Sequence, residues 1–179
     1  MEYIEIILNN VQTRFLKEII TEQLQFMGSD VRASHFFSPK TERTITYSEI
    51  NNWDMFFEEK GTGDISLKEV VLGMSIKNVV VLITYRPFCN DISISFGEDQ
   101  LSFECVYEAQ ENIRKLFQKL IDISQKCGID DITIGYEPAE DEDMKILEIH
   151  HGKLRFYNED SFCSPEILIF RQVGRELFG

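Results

Sequence analysis

The sequence has few basic residues for its length. Among 179 residues, 18 Lys and Arg stand against 31 Asp and Glu, which gives a formal net charge of −13. Phosphate backbones and anionic lipid surfaces are bound by clustered Lys and Arg, so this balance predicts no nucleic-acid partner and no membrane partner. A strong negative field speeds encounter with a positively charged protein. The charge therefore favours a basic protein partner.

The chain also lacks the short motifs that carry cofactor or nucleophile chemistry. It contains no GxSxG, no GxxxxGK[ST] and no GxGxxG, and its four cysteines form no CxxC pair. Widely spaced cysteines are typical of reduced thiols in a cytoplasmic protein. The N-terminal MEYIEIILNN has no basic start and only a short apolar run, so it predicts neither a signal peptide nor a membrane span. We expect a cytoplasmic protein without a cofactor.

What the chain does have is apolar sequence in short periodic segments, with 43% hydrophobic residues and 14 Phe. Three-to-four spacing predicts two long amphipathic helices, over residues 11–28 and 107–128, each ended by a glycine. Strand patterns follow one another in runs between helices. We therefore expect an α+β fold, an antiparallel-rich (mixed) sheet with those two long helices and one or two shorter helices packed on it. One domain over 1–179 is expected, and GTGD is compatible with a subdomain boundary near 61–65.

Local signals also assign the less regular middle of the chain. SLKE at 66–69 has the capping-box pattern and predicts a helix that extends to about Met74. DMFFEE at 54–59 has the composition of a short strand. The apolar run NVVVLITY at 78–85 predicts the central strand of the sheet.

Near the C-terminus, MKILEIH and KLRFY predict a hairpin with His151-Gly152 as its two-residue turn. Glycine adopts positive φ freely and histidine tolerates it better than most residues. In this register the neighbouring histidines belong to the packing of the sheet, and Glu148 forms an ion pair with Arg155. The histidines are therefore not interpreted as metal ligands. The predicted cross-strand pairs are Leu147 with Phe156, Glu148 with Arg155, Ile149 with Leu154, and His150 with Lys153.

EPAEDED, residues 137–143, places five carboxylates in a connection between two strand patterns. An EF-hand calcium loop requires Gly at its sixth place and Glu at its twelfth, but counted from Asp141 these places hold Ile146 and Gly152. We interpret the segment as a solvated loop whose functional use is electrostatic contact with a basic partner. Its candidate contact residues are Glu137, Glu140, Asp141, Glu142 and Asp143.

A second candidate contact is NNWDMFFEEKGTGD, residues 51–64, which combines the only Trp with Phe, Met and acidic residues. Exposed aromatic residues ringed by polar groups are typical of protein–protein hot spots. In the alternative interpretation, the same aromatic residues fill the core. The contact hypothesis therefore requires that Trp53 or Phe57 be exposed. The candidate residues are Trp53, Asp54, Phe57, Glu58 and Glu59.

An enzymatic alternative starts from Asp143-Met144-Lys145. An acid and a lysine two residues apart on a strand point to one face, where the acid holds Mg²⁺ and the lysine polarises water or phosphate. Asp130 or Asp131 would complete the metal site. This pattern indicates a metal-dependent phosphoesterase or nuclease.

Taken together, the residues favour a non-enzymatic binding module. The concrete version is an inhibitor or immunity-type protein that neutralises a basic toxin enzyme such as a nuclease, with carboxylates that mimic phosphates. A third hypothesis is a structural protein that self-associates through the edges of its sheet.

Overall fold

The computed structural model describes residues 2–38, 41–58 and 60–178. In this part of the chain nine strands form one sheet, and four α-helices accompany it. The strands are β1 (Tyr3–Val11), β2 (Val31–Ser38), β3 (Arg43–Ile45), β4 (Gly61–Leu72), β5 (Met74–Tyr85), β6 (Asn90–Gly97), β7 (Asp131–Tyr136), β8 (Lys145–His150) and β9 (Lys153–Phe156). The helices are α1 (Thr13–Glu18), α2 (Trp53–Phe56), α3 (Val106–Cys127) and α4 (Pro165–Phe178).

The strands are ordered β3-β2-β4-β5-β6-β1-β7-β8-β9. The α+β class is confirmed, and every described strand pair is antiparallel, so the sheet is not mixed. Short hairpins join β4 to β5, β5 to β6 and β8 to β9, which makes their pairing antiparallel. The first strand of the chain lies inside the sheet, between β6 and β7.

The two faces of the sheet differ in what covers them. On β1, Ile4, Ile6 and Leu8 are fully buried in the same core as the apolar stripe of α3. Strand alternation therefore turns Glu5 and Ile7 to the opposite side, which we call the outer face. Residues in register with Glu5 and Ile7 on the neighbouring strands share that face, so β5 contributes Val80 and Leu82 to it.

The helices depart from their predicted lengths. The helix predicted over 107–128 is confirmed as α3, whose 22 residues end at Cys127 and are followed by the cap residue Gly128, with φ 60°. The helix predicted over 11–28 is shorter, because the six residues of α1 continue only as a π-helical turn over Ile19–Gln23. In that turn the Leu24 amide donates to the Ile19 carbonyl across 3.1 Å. Of the two long helices expected, only one has the expected length.

Two local assignments in the middle of the chain were wrong. SLKE lies inside β4, where Ile65 and Leu67 are buried and the strand pairs with both β2 and β5. Two neighbouring strands satisfy its backbone and override the local capping signal. DMFFEE contributes to the short helix α2 instead of a strand, because helical spacing lets Trp53 and Phe57 pack together with ring centroids 5.4 Å apart.

NVVVLITY forms most of β5, an interior strand that is fourth in the order of nine described strands. It is fully buried on one face only. Val79 and Val81 are fully buried, while Val80 and Leu82 are 38% and 44% exposed on the outer face. Apolar side chains on that face therefore meet solvent.

The predicted β8–β9 hairpin is confirmed residue by residue. All four predicted pairs are observed, and the turn residues His151 and Gly152 have φ values of 47° and 71°. Glu148 lies opposite Arg155, but its described ion pair is with Lys145, at 3.8 Å.

The glycines of GTGD lie at the start of β4, within the sheet. A Cβ on Gly61 would lie 2.5 Å from both the Phe37 carbonyl oxygen and the Tyr85 hydroxyl. These two atoms form a hydrogen bond of 2.6 Å with each other, so the position has no room for a side chain. A close approach of strands explains these glycines.

Gly73 gives a test of the sheet-to-helix contact. It closes the β4–β5 hairpin with φ 76°, and a Cβ there would lie 2.1 Å from the Lys115 carbonyl oxygen of α3. We expect Gly73→Ala to lower the free energy of unfolding by about 3 kcal/mol or more, since backbone would have to move. Gly152→Ala is the control, because φ is 71° there and nothing lies within 4 Å. Gly152→Ala should lower the free energy of unfolding by only about 1 kcal/mol. Equal losses in urea unfolding would contradict this account.

Candidate partner-binding surface

Residues 137–144, which we call the acidic loop, connect β7 to β8. The five predicted contact residues of this loop, Glu137, Glu140, Asp141, Glu142 and Asp143, are all exposed, whereas Ala139 among them is fully buried. One buried residue within an otherwise exposed loop means that the loop rests on the protein and directs its carboxylates outward.

Glu5 holds the loop against the outer face. Its carboxylate is only 7% exposed, and its Oε2 accepts a hydrogen bond of 2.7 Å from the Ala139 amide. Its Oε1 accepts a hydrogen bond from the Ser93 hydroxyl on β6. One carboxylate therefore joins β1, β6 and the acidic loop.

A second contact holds the far end of the loop. The Asn158 side-chain amide donates to the carbonyls of Glu142 and Lys145, at 2.7 and 3.0 Å. Within the loop, the Met144 amide donates to the Asp141 carbonyl at 2.9 Å. The loop is thus bonded at its centre and at its exit into β8.

Arg171 of α4 supports the segment that carries Asn158. Its guanidinium is 2% exposed and donates to four main-chain carbonyls. Burial lowers the pKa of Arg171, and the carboxylate of Glu159 acts in the opposite direction. The acceptors are the carbonyls of Tyr157 at 2.9 Å, Asn158 at 3.0 Å, Glu159 at 3.1 Å and Phe162 at 2.7 Å.

Lys145 is the cation beneath the loop. Its ammonium lies 3.0 Å from the Glu142 carboxylate, 3.8 Å from the Glu148 carboxylate and 4.8 Å from the centre of the Tyr157 ring. Burial opposes its charge, but the two carboxylates raise the pKa of Lys145 above its ordinary value. One buried lysine therefore offsets part of the charge that the loop concentrates.

These contacts do not assemble the alternative metal site. Asp143 lies in the turn before β8, so it does not share a strand face with Lys145, whose ammonium is already bonded. Asp131 pairs with His150 at the other end of β8. Across residues 2–38, 41–58 and 60–178, no group of three or more His, Cys, Asp or Glu side chains could hold a metal ion.

The aromatic residues of the second predicted contact lie in the core. Phe57 is fully buried and Trp53 is partly buried, with the Trp53 ring 5.7 Å from that of Phe36 and 5.2 Å from that of Tyr47. The exposure that the contact hypothesis requires of Phe57 is not found, because its ring fills the space between α2 and Tyr85, 5.4 Å away.

The acidic residues of that segment remain a prediction. Glu58 is exposed. Asp54 belongs to α2, but its side chain lies outside what the structure describes, and Glu59 lies outside the described residues altogether.

Phe88 is an exposed aromatic residue that sequence reasoning missed. It is 89% exposed in the turn between β5 and β6. The turn is held by buried Asn90, whose side chain accepts from the Arg86 amide at 2.6 Å and donates to the Val11 carbonyl at 2.8 Å. The signal was available, because a Phe between two strand patterns sits at a hairpin tip and has no core to enter.

The fold and this surface together define a class of protein. The helical core lies on one face of a sheet, and a bonded loop of outward-directed carboxylates lies on the other, which suits a binding protein. In the described part of the chain no helix is long and apolar enough to cross a membrane.

The family model described as PABL017 Cdi1I immunity protein matches residues 2–152. The chain belongs to this family of immunity proteins, and the sequence-based prediction of an immunity-type toxin inhibitor is confirmed. The matched residues include the complete acidic loop and the β1 and β6 strands that hold it.

A solved structure shares the fold. It is a chain of the 1.75 Å crystal structure of the toxic C-terminal tip of CdiA from Pseudomonas aeruginosa in complex with immune protein. The TM-score is 0.55 and the sequence identity 18%, over 83% of this chain and 94% of that chain. No curated protein matches the sequence.

The support of the loop by Arg171 is testable. Arg171→Ala would remove the guanidinium donor of four carbonyls, among which that of Asn158 also accepts from the Ser161 and Phe162 amides. We expect it to lower the free energy of unfolding by about 3 kcal/mol. Arg175→Ala removes a guanidinium of the same helix that is 52% exposed and contacts Glu159 and the Phe156 ring. This control should cost less than about 1 kcal/mol in urea unfolding. A control as damaging as the test variant would show that α4 itself, and not its buried guanidinium, is the sensitive feature.

Proposed function

We propose that this immunity protein neutralises a basic toxin enzyme in the cytoplasm and that the acidic loop is its main electrostatic contact. The observation that carries the proposal is a loop of five exposed carboxylates fixed on the outer face of a member of an immunity family. The formal net charge of −13 supports a partner of the opposite sign.

The rigidity of the loop supports this role. A loop that is already ordered loses less conformational entropy when a partner binds, so more of the interaction energy remains for affinity. The bonds from Glu5 and Asn158 order it before any partner arrives. Because Lys145 compensates the loop only from below, the outward side keeps its negative field.

A nuclease is the concrete toxin that this surface suits. Enzymes that act on nucleic acid present clustered Lys and Arg to phosphates, and a row of fixed carboxylates can occupy the same cations. Inhibition would then follow from occupation of the substrate surface. The immunity protein itself, with its negative charge, would not bind nucleic acid.

The first test is complex formation with the toxin domain encoded beside the gene for this chain. Co-expression should protect cells from the toxin, and the two proteins should co-purify at low salt, with weaker recovery at high salt. Failure to recover a complex at either salt concentration, together with unprotected cells, would overturn the proposal.

The second test removes three of the loop's five exposed charges without touching its ion pair to Lys145. Glu140→Gln, Asp141→Asn and Asp143→Asn together remove three negative charges and leave Glu142 in place. We expect the association rate at low salt to fall by about tenfold or more, with a smaller difference at high salt, because steering depends on long-range charge. Stopped-flow or surface-based kinetics would measure it.

The matched control removes three exposed acids near α3, on the opposite side of the sheet, by Glu104→Gln, Glu108→Gln and Asp122→Asn. The net charge changes equally in both variants. If both slow association to the same extent, overall charge and not the acidic loop governs the encounter.

A further inference from the structure

A groove of about 280 Å³ lies on the outer face between the acidic loop and strands β1, β5 and β6. Pro138 and Glu140 of the loop form one wall, and Leu82 and Asp91 on β5 and β6 form part of the opposite side. The groove exists because the Glu5 bond to Ala139 holds the loop beside these strands.

The groove has a surplus of negative charge. Its lining contains the carboxylates of Glu5, Asp91 and Glu140 and the guanidinium of Arg86, three negative groups against one positive. Glu5 is 7% exposed, and its described hydrogen-bond partners are a hydroxyl and an amide, both neutral. Among the described residues it forms no ion pair. A buried carboxylate without a counter-ion gains strongly from an incoming cation, because little water screens the attraction.

The groove also has an apolar part. Leu82 is 44% exposed beside it, and Ile7, in the outer-face row next to Glu5, contributes to its lining. Lysine and arginine pack their aliphatic stems on apolar surface while the charged end meets polar groups. An apolar side next to a surplus of carboxylates over the single Arg86 guanidinium matches that combination.

We infer that this groove receives a lysine or arginine side chain of the toxin, with its stem against Leu82 and its charge between Asp91, Glu140 and the buried Glu5. The inference rests on the proposed function and adds a specific docking point on the outer face. The exposed loop carboxylates act at a distance, whereas this contact is short-range and desolvated, so it governs dissociation more than association.

The test is a pair of charge insertions on one strand face. Leu82→Lys places a cation at the groove, and Val80→Lys places one two residues away, on the same face of β5, outside the described lining of the groove. Both positions are partly exposed, at 44% and 38%, so both variants should fold, which urea unfolding checks. The two variants change the net charge equally and should slow association equally.

We expect the toxin domain to dissociate at least about tenfold faster from Leu82→Lys than from Val80→Lys. Asp91→Asn should also raise the dissociation rate, while Asp99→Asn, an exposed acid outside the groove lining, should not. Asp91→Asn keeps a side-chain oxygen that can accept the hydrogen bond now donated to Asp91 by the Asn10 main-chain amide.

The outcomes separate the two proposals. Equal dissociation rates for Leu82→Lys and Val80→Lys, with tight binding by the unchanged protein, would overturn the groove inference and leave the proposed function intact. Absence of binding by the unchanged protein would overturn both. Faster dissociation confined to Leu82→Lys and Asp91→Asn would support the groove as the docking point.

Discussion

The buried carboxylate of Glu5 is the interaction on which the functional surface depends. In YIEIIL, the apolar residues on either side of Glu5 point into the core, so strand alternation directs the Glu5 side chain to the outer face. A carboxylate therefore lies on the outer face of an interior strand. There it accepts from Ser93 and from the Ala139 amide. Without this acceptor, the Ala139 amide at the centre of the loop would lose its partner, while the Glu137 amide would still bond to the Tyr3 carbonyl and Asn158 would still hold the far end. The position of the centre of the loop beside the groove follows from the Glu5 bond.

Support for the loop also comes from the last helix. Arg171 fixes the carbonyls of the segment after β9, that segment carries Asn158, and Asn158 bonds to the exit of the loop. Both Asn158 and Arg171 lie beyond residues 2–152, to which the family model corresponds. Strands β1–β8 and the loop therefore belong to the shared family region, whereas β9 and part of the support of the loop come from residues after it. The Arg171 guanidinium is a costly way to hold a segment, because burial disfavours its charge, and it is effective because it bonds four main-chain carbonyls at once.

Prediction from sequence succeeded where the determining interactions are local. The β8–β9 hairpin depends on period-two alternation and on the positive φ of His151-Gly152, both readable from a dozen residues, and its register is confirmed in full. SLKE misled because its local helix signal competes with two flanking strands that no short window reveals. The exposed acidic loop was readable from composition. The groove beside it was not, because it needs the register of β1, β5 and β6 to bring Glu5, Leu82 and Asp91 together.

The arrangement of charge separates two tasks of an inhibitor. Carboxylates on the exposed side of the loop create a field that extends about a Debye length into solution, and under the proposed function this field governs how fast a basic partner arrives. In the proposed complex, charge at the base of the groove is screened less and acts only at contact, so it would govern how slowly the partner leaves. The buried Lys145 offsets part of the charge of the loop from beneath, through its ion pair with Glu142, and leaves the other four exposed carboxylates uncompensated by it. Compensation on one side only is what lets so acidic a loop remain ordered and still attract a basic toxin in the proposed complex.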